Sequence, residues 1–274
     1  MTGTSSPNEP PQSPTVDSSV PHTARVWNYW LGGKDNYIVD RELGDQIQAV
    51  IPDIVSSARA DRAFLGRAVT YLTGEEGVRQ YLDLGTGLPT AGNTHEVAQG
   101  IAPDTRIVYV DNDPLVLTHA HALLTSTPEG ATDYIEADVR DPDAILERAA
   151  ATLDFDRPVA IMMLGILNFV PDEDEAQRVV DRLLGAVPSG SYLAIAHPSG
   201  EVDGEAAQQA VDMSNESGVA PMRLRSAVEM ERFFAGMEIL EPGVVSCSQW
   251  RPAVSDPDRP PKPVYQFCGL ARKR

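Results

Sequence analysis

The sequence predicts an α/β fold built on one mostly parallel sheet, and three observations carry the prediction. From Arg79 onward, short β-prone runs alternate with helical patterns, the rhythm of βαβ units. Apolar residues make up 42% and charged residues 23% of 274 residues, enough for a sizeable core. Two late β-prone runs joined by a Pro-rich connection suggest a sheet closed by an antiparallel strand.

The elements follow in order. Residues 1–23 are rich in Ser, Thr and Pro and have neither the basic nor the apolar region of a signal peptide, so they are expected as a disordered tail. Residues 24–74 are expected as a helical cap or lid: Ala24 to Tyr37 reads ARVWNYWLGGKDNY, and Asp40 to Leu72 carries helical spacing broken near Pro52, predicting two helices. Residues 75–274 form the sheet domain. Its strands are expected at Gln80 to Leu84, Arg106 to Val110, Thr132 to Glu136, Val159 to Leu164 and Ser191 to Ala196. Helices are expected at Pro114 to Leu124, Pro142 to Ala150 and Glu173 to Val187. Met237 to Ser246 and Pro263 to Leu270 are the late strands, with Trp250 to Pro261 between them.

The formal net charge of -18 repels phosphate backbones and anionic lipids, which argues against nucleic acid and membrane surfaces as partners and leaves a small molecule or a protein. Arg223, Arg225 and Arg232 are the one candidate basic patch, and their spacing reads as solvated surface. Cys247 and Cys268 have neither metal-ligand spacing nor a disulfide framework, so a reducing cytoplasm is expected. No apolar stretch approaches the roughly 20 residues of a membrane span. Oligomeric state is not legible.

Three strand ends carry the chemistry. In YLDLGTGLPT, Tyr81 to Thr90, a strand ends in Asp83 and enters Gly85-Thr86-Gly87, where missing Cβ atoms let the backbone approach a ligand. The third glycine of a dinucleotide fingerprint is replaced by Thr90, which counts against a pyrophosphate. In VYVDND, Asp111 is placed to accept both ribose hydroxyls, with Asn112 beside the base. In YIEADVRDP, Asp138 is placed to accept from an adenine amine, next to Val139. Each acid alone reads equally as a cap or surface charge. Together, at one carboxyl edge, they suit a cationic sulfonium cofactor with an amino-acid tail, S-adenosylmethionine rather than NAD.

The sequence resembles the class I S-adenosylmethionine-dependent methyltransferases. More narrowly, it resembles a bacterial S-adenosyl methyltransferase family catalogued as a domain of unknown function. The matching runs are RVWNYWLGGKDNY, DLGTGLPT, NTHEVAQ, VYVDNDPLVL, ADVRDP, NFVPDED and SQWRP, from about Ala24 to Arg274. The resemblance implies a Rossmann-like seven-stranded sheet with an antiparallel last strand. It also implies cofactor contacts at Asp83, Gly85, Gly87, Asp111, Asn112 and Asp138, joined in our expectation by Thr86 and Val139, and no metal. The chain departs from the family pattern at Asn168, where relatives commonly carry His.

Three features stay open at this level. Tyr29, Trp30 and Tyr37 with Gly32 and Gly33 read either as a lid, with Tyr29 and Gly33 touching the cofactor, or as rings packing the cap onto the sheet. Asn168 reads as a substrate contact or as a cap before the Pro171 helix. His197, at the end of the fifth strand, is the first candidate base, ahead of His95, His119 and His121; His95 reads more simply as part of a helix start behind Asn93 and Thr94. The expectation is a methyltransferase acting on a small acceptor. A non-catalytic S-adenosylmethionine-binding sensor and a nicotinamide-dependent oxidoreductase are the alternatives.

Overall fold

A computed structural model of the chain describes residues 17–113, 115–116, 125–253 and 260–274. Strands β1 (Gln80–Leu84), β2 (Arg106–Asp111), β3 (Ala131–Glu136), β4 (Ala160–Leu164) and β5 (Tyr192–Pro198) are parallel neighbours in the order β3-β2-β1-β4-β5. β8 (Gln266–Lys273) then runs antiparallel beside β5, with β6 (Met237–Ile239) and β7 (Val245–Ser246) along its outer side.

Alternation along each strand builds two apolar layers, because successive side chains leave a strand on opposite faces. On one face Leu82, Leu84, Val108, Val110, Ile161 and Leu193 meet α5 (Pro142–Ala149), α6 (Glu173–Gly185) and α8 (Ala227–Arg232). On the other, Tyr81, Ile107, Tyr109, Met162 and Ala194 meet α3 (Ile54–Gly74) and α4 (Thr94–Ile101). Strands buried on both sides are what helices on both faces of a parallel sheet produce. Asp83, next but one to Tyr81, therefore faces α3 and α4.

The expected cap divides by its packing. α3 belongs to the sheet layer: Phe64, Leu65, Ala68 and Leu72 are in the core with Tyr81, and Trp250 is buried edge-on against Phe64 with ring centroids 5.2 Å apart. α1 (Thr23–Trp30) and α2 (Ile38–Val50) instead form a third cluster with α7 (Gly204–Glu216), through Val26, Leu43, Ile47 and Ala210. Pro52 lies between α2 and α3, as its missing N–H and fixed φ favour.

Several expectations are corrected. The single strand from Met237 to Ser246 is two, β6 and β7, because the chain turns at Pro242-Gly243, with Gly243 at φ +93°. Among the described residues the sheet consequently has eight strands rather than seven, with β7 off the main path beside β8. The gap between β5 and Met237, for which no helix bounds were expected, holds α7 and α8, each started by a side-chain cap from Asp203 or Ser226. The helix expected from Pro114 to Leu124 lies outside the described residues except for Leu115 and Val116, as do His119 and His121. Of the expected tail, residues 1–16 lie outside them too, while Arg25 donates hydrogen bonds to the carbonyls of Asp17 and Val20.

The reading of these arginines as solvated surface is corrected at Arg225. Arg225 is fully buried, donating to the carbonyls of Leu167 and Val170 and to the Glu173 carboxylate. Arg223 pairs with Glu229 at 2.9 Å. A guanidinium carries five donors, and here they tie the segment after β4 to the segment before α8.

Candidate active site

One cavity of about 340 Å³ opens at the carboxyl ends of β1 to β5, walled on its far side by α1, α2 and α7. Its sheet side is built first by the turn after β1. Gly85 and Gly87 stand at φ +74° and +65°, and a Cβ at Gly85 would come within 2.7 Å of Ile166. Only glycine fits that conformation beside that neighbour. The amides of Gly85 and Thr86 donate to the Val110 carbonyl, which locks the turn to β2.

Asp111 holds the next part. One oxygen of its carboxylate accepts the Gly87 amide at 2.8 Å and the other accepts the Asp113 amide at 3.0 Å. Burial raises its pKa against those two bonds. Asp83 accepts the Thr94 hydroxyl at 2.6 Å, and burial pushes its pKa up to about 6, opposed by that bond and by Arg62. Asp138 lines the same cavity half-buried, its carboxylate paired with Arg140 at 3.2 Å. Thr86, Asn112 and Val139 line it as well.

Other expected residues lie elsewhere. Tyr29 and Gly33 are off the cavity wall: the Tyr29 hydroxyl donates to Asp45 at 2.7 Å, and a Cβ at Gly33 would lie 2.3 Å from the Asn28 side chain. Gly33 is glycine because Asn28 occupies that space while its Oδ1 accepts the Asp35 amide. Trp27 and Asn28, from the same aromatic segment, do line the cavity. His197 is fully buried and also off the wall. Its Nδ1 donates to the Pro198 carbonyl, its Nε2 accepts from Arg225 at 2.9 Å, and burial pushes its pKa down to about 3. A ring with both nitrogens engaged and so low a pKa has no capacity as a base near neutral pH.

His95 reads as the structural alternative predicted: Glu96 accepts the Asn93 amide, the helix starts at Thr94, and His95 Nδ1 bonds the Tyr109 hydroxyl. Asn168 is not a helix cap, since Asp172 caps α6 by accepting the Glu175 amide. It sits in a short 3-10 turn, 3% exposed, on the cavity wall, and its Oδ1 has no partner.

The residue that sequence reasoning missed is Asp61. It lines the cavity from α3, is 7% exposed, and its Oδ1 has no partner. Burial pushes its pKa up to about 7, opposed by Arg62 and by a side-chain bond with Gln266. The signal was present: the apolar stripe of α3 runs Ala58, Leu65, Ala68 and Leu72, and Asp61 occupies the stripe's missing turn.

The sheet order, the antiparallel β8 and a ligand cavity at the strand ends beside a glycine turn define a Rossmann-like methyltransferase domain. A solved S-adenosylmethionine-dependent methyltransferase from Anabaena variabilis shares the fold, with a TM-score of 0.50 at 16% identity over 76% of this chain and 84% of that one. The chain belongs to the S-adenosyl methyltransferase family, whose model matches residues 9–274. A DUF574 family protein from Streptomyces avermitilis is 43% identical, with a TM-score of 0.88 over 94% of this chain and 99% of that one. A candidate methyltransferase from Thermobifida fusca is 42% identical, with a TM-score of 0.86 over 94% and 97%. A search of curated proteins found no match. No helix among the described residues is long and apolar enough to cross a membrane.

Proposed function

We propose that this S-adenosylmethionine-dependent methyltransferase acts on a small-molecule acceptor in the cytoplasm, with its cofactor held by the ends of β1, β2 and β3. The observation that carries this reading is that Asp83, Asp111 and Asp138 line one cavity with Gly85 and Gly87. The donor set fits the cofactor. A carboxylate-rich wall suits a molecule that is cationic at sulfur and carries an ammonium group. A Cβ on Gly87 would meet nothing within 4 Å, and that open space lets the backbone approach it.

In this reading Asp111 receives the ribose hydroxyls, Asn112 and Val139 flank the adenine, and Asp138 accepts from its amine. Gly85, Thr86 and Gly87 line the path of the amino-acid tail, and Asp83 faces its ammonium group. When bound, the cofactor supplies a methyl group on a sulfonium, a good leaving group. What remains for the chain is to position the acceptor and exclude water, and the apolar wall of α1, α2 and α7 does both. His22 closes the nucleoside end, with its Nδ1 3.1 Å from Asp113. The small-molecule reading is supported by the enclosed cavity and by the net charge of -18, which repels nucleic acid.

Calorimetry with S-adenosylmethionine, S-adenosylhomocysteine and NAD tests the cofactor, and a mass-shift screen of host extract tests the acceptor. Binding of the first two and a gain of one methyl group in a small metabolite are expected. Preferential NAD binding would overturn the reading. Tight cofactor binding with no methylated product would instead indicate a sensor.

A further inference from the structure

We propose that the half of the cavity under α1, α2 and α7 is an acceptor chamber for an apolar molecule bearing a primary or secondary amine, and that Asp61 with Gln266 holds that amine. The inference rests on the methyl-transfer reading above and adds the chemical class of the acceptor.

Position separates this half from the nucleoside half. Asp61 and Gln266 both line this half, and Gln266 opens β8 opposite Pro198 of β5. The Gln266 amide nitrogen is 3.9 Å from where a Cβ on Gly165, just past β4, would stand. One turn earlier on α3, the Ser57 hydroxyl accepts the Tyr265 amide at 3.2 Å, which fixes the helix against this strand. Asp61 thus belongs to the β4-β5-β8 side, whereas Asp111, Asn112 and Asp138 stand at the ends of β2 and β3. The walls above Asp61 are Trp27, Leu43, Ile47, Ile51, Ala210 and Val219, a continuous apolar cluster into which Tyr265 packs.

Chemistry then narrows the occupant. A buried carboxylate oxygen without a donor costs free energy, so a carboxylate kept on an apolar helix stripe calls for a ligand that brings N–H groups. The cavity wall carries four aspartates against two arginines. Of those two, Arg140 is paired with Asp138, and Arg62 donates to Asn93 and the Ala91 carbonyl. An anionic acceptor meets four aspartates and, in Arg62, a guanidinium already held by neutral acceptors, while an ammonium meets the Asp61 oxygen that has no donor. The raised pKa of Asp61 supports a second role. An ammonium must lose one proton before its nitrogen has a lone pair. Transfer of that proton from nitrogen to Oδ1 leaves a neutral amine and a neutral carboxyl, with no change in net charge and no other reactant.

The test uses the full chain saturated with S-adenosylhomocysteine and three probes of one shape: phenylbutylamine, phenylbutanol and phenylbutanoate. Calorimetry should give the amine about tenfold tighter binding than the alcohol, as a charge-assisted hydrogen bond provides, and the carboxylate the weakest. In Asp61→Asn the amine's advantage should collapse to less than about twofold, while S-adenosylhomocysteine affinity stays within about twofold of the parent. The wild-type comparison needs no variant, so a misfolded mutant would not shield the proposal. Equal binding of amine and alcohol, or binding of no probe at millimolar concentration, overturns it. So does an Asp61→Asn protein that loses S-adenosylhomocysteine, which would assign Asp61 to the cofactor. If the wild-type chain itself fails to bind S-adenosylhomocysteine, the methyltransferase reading has failed instead.

Discussion

The Nε2 of His197 accepts a hydrogen bond from the buried guanidinium of Arg225 at 2.9 Å, while its Nδ1–H donates to the Pro198 carbonyl. This ring is a strut between β5 and the arginine that organises the segment after β4. His197→Ala should therefore cost about 2–4 kcal/mol of stability, from an unpartnered buried N–H and the space left behind. Its folded pKa of about 3 lies below the unfolded 6.5, so the unfolded chain binds the extra proton between those values. The histidine's contribution is then complete above about pH 6.5 and falls by about 1.4 kcal/mol per pH unit below it. Denaturant melts of both proteins at several pH values should show the wild-type advantage shrinking toward pH 4. An unchanged difference would remove the strut assignment.

Asp111→Ala tests the nucleoside end. Loss of two charge-assisted hydrogen bonds to ribose should weaken cofactor affinity by about 2–4 kcal/mol, allowing for partial replacement by water. Because the same carboxylate holds the Gly87 and Asp113 amides, the ligand-free protein should also melt earlier. Calorimetry and a thermal melt on one preparation separate the two effects. Unaltered affinity beside a lowered melting temperature would leave Asp111 with a structural role alone.

Asp61→Asn makes an opposite stability prediction. The Asp61 pKa is raised from 3.8 to about 7, so the folded state holds its proton more tightly and loses stability as pH rises through that window. The neutral amide avoids that cost. The variant should match the parent near pH 4 and exceed it by about 1–4 kcal/mol at pH 8 without ligand. A variant less stable than the parent at pH 8 would mean that the carboxylate is better satisfied than its orphaned oxygen indicates.

The sheet and the residues that line the cavity at its strand ends were legible in sequence because both are written locally. Apolar alternation marks each strand, and a strand that ends in Asp83 and Gly85 or in Asp111 announces its own turn. What escaped detection depends on distant chain. Nothing near Arg225 records that Glu173, Leu167 and Val170 would surround it. His197 stands at a strand end, as a base would, but Arg225, 28 residues later, takes its free nitrogen. The unusual composition around Tyr29 and Gly33 serves the Asn28-centred turn rather than the cavity. Asp61 escapes because helical periodicity marks the apolar stripe of α3 but nothing local marks the one polar residue within it as facing a cavity.

The segment that leads into the Asn28-centred turn is tied to α2 by one buried ion pair, Arg25 with Asp40. Asp40 is fully buried and accepts hydrogen bonds from the His22 amide at 2.9 Å, the Arg25 side chain at 3.1 Å and the Tyr37 amide at 2.7 Å. It therefore joins the first residue of the strap over the cavity, its helix and the entry to α2. Asp40→Ala leaves the Arg25 guanidinium buried without its counter-charge, which costs about 3–5 kcal/mol. The strap carries His22 and Trp27 on the cavity wall, so cofactor affinity should fall together with stability. A double replacement, Arg25→Met with Asp40→Leu, removes both charges and should recover most of the stability, because a pair desolvated this fully gains little net energy from its attraction. It should not recover the affinity, since neither apolar side chain can hold the His22 and Tyr37 amides. Denaturant melts and calorimetry on the three proteins measure both quantities. Affinity restored along with stability would show that the strap is held by packing and that Asp40 does not position it.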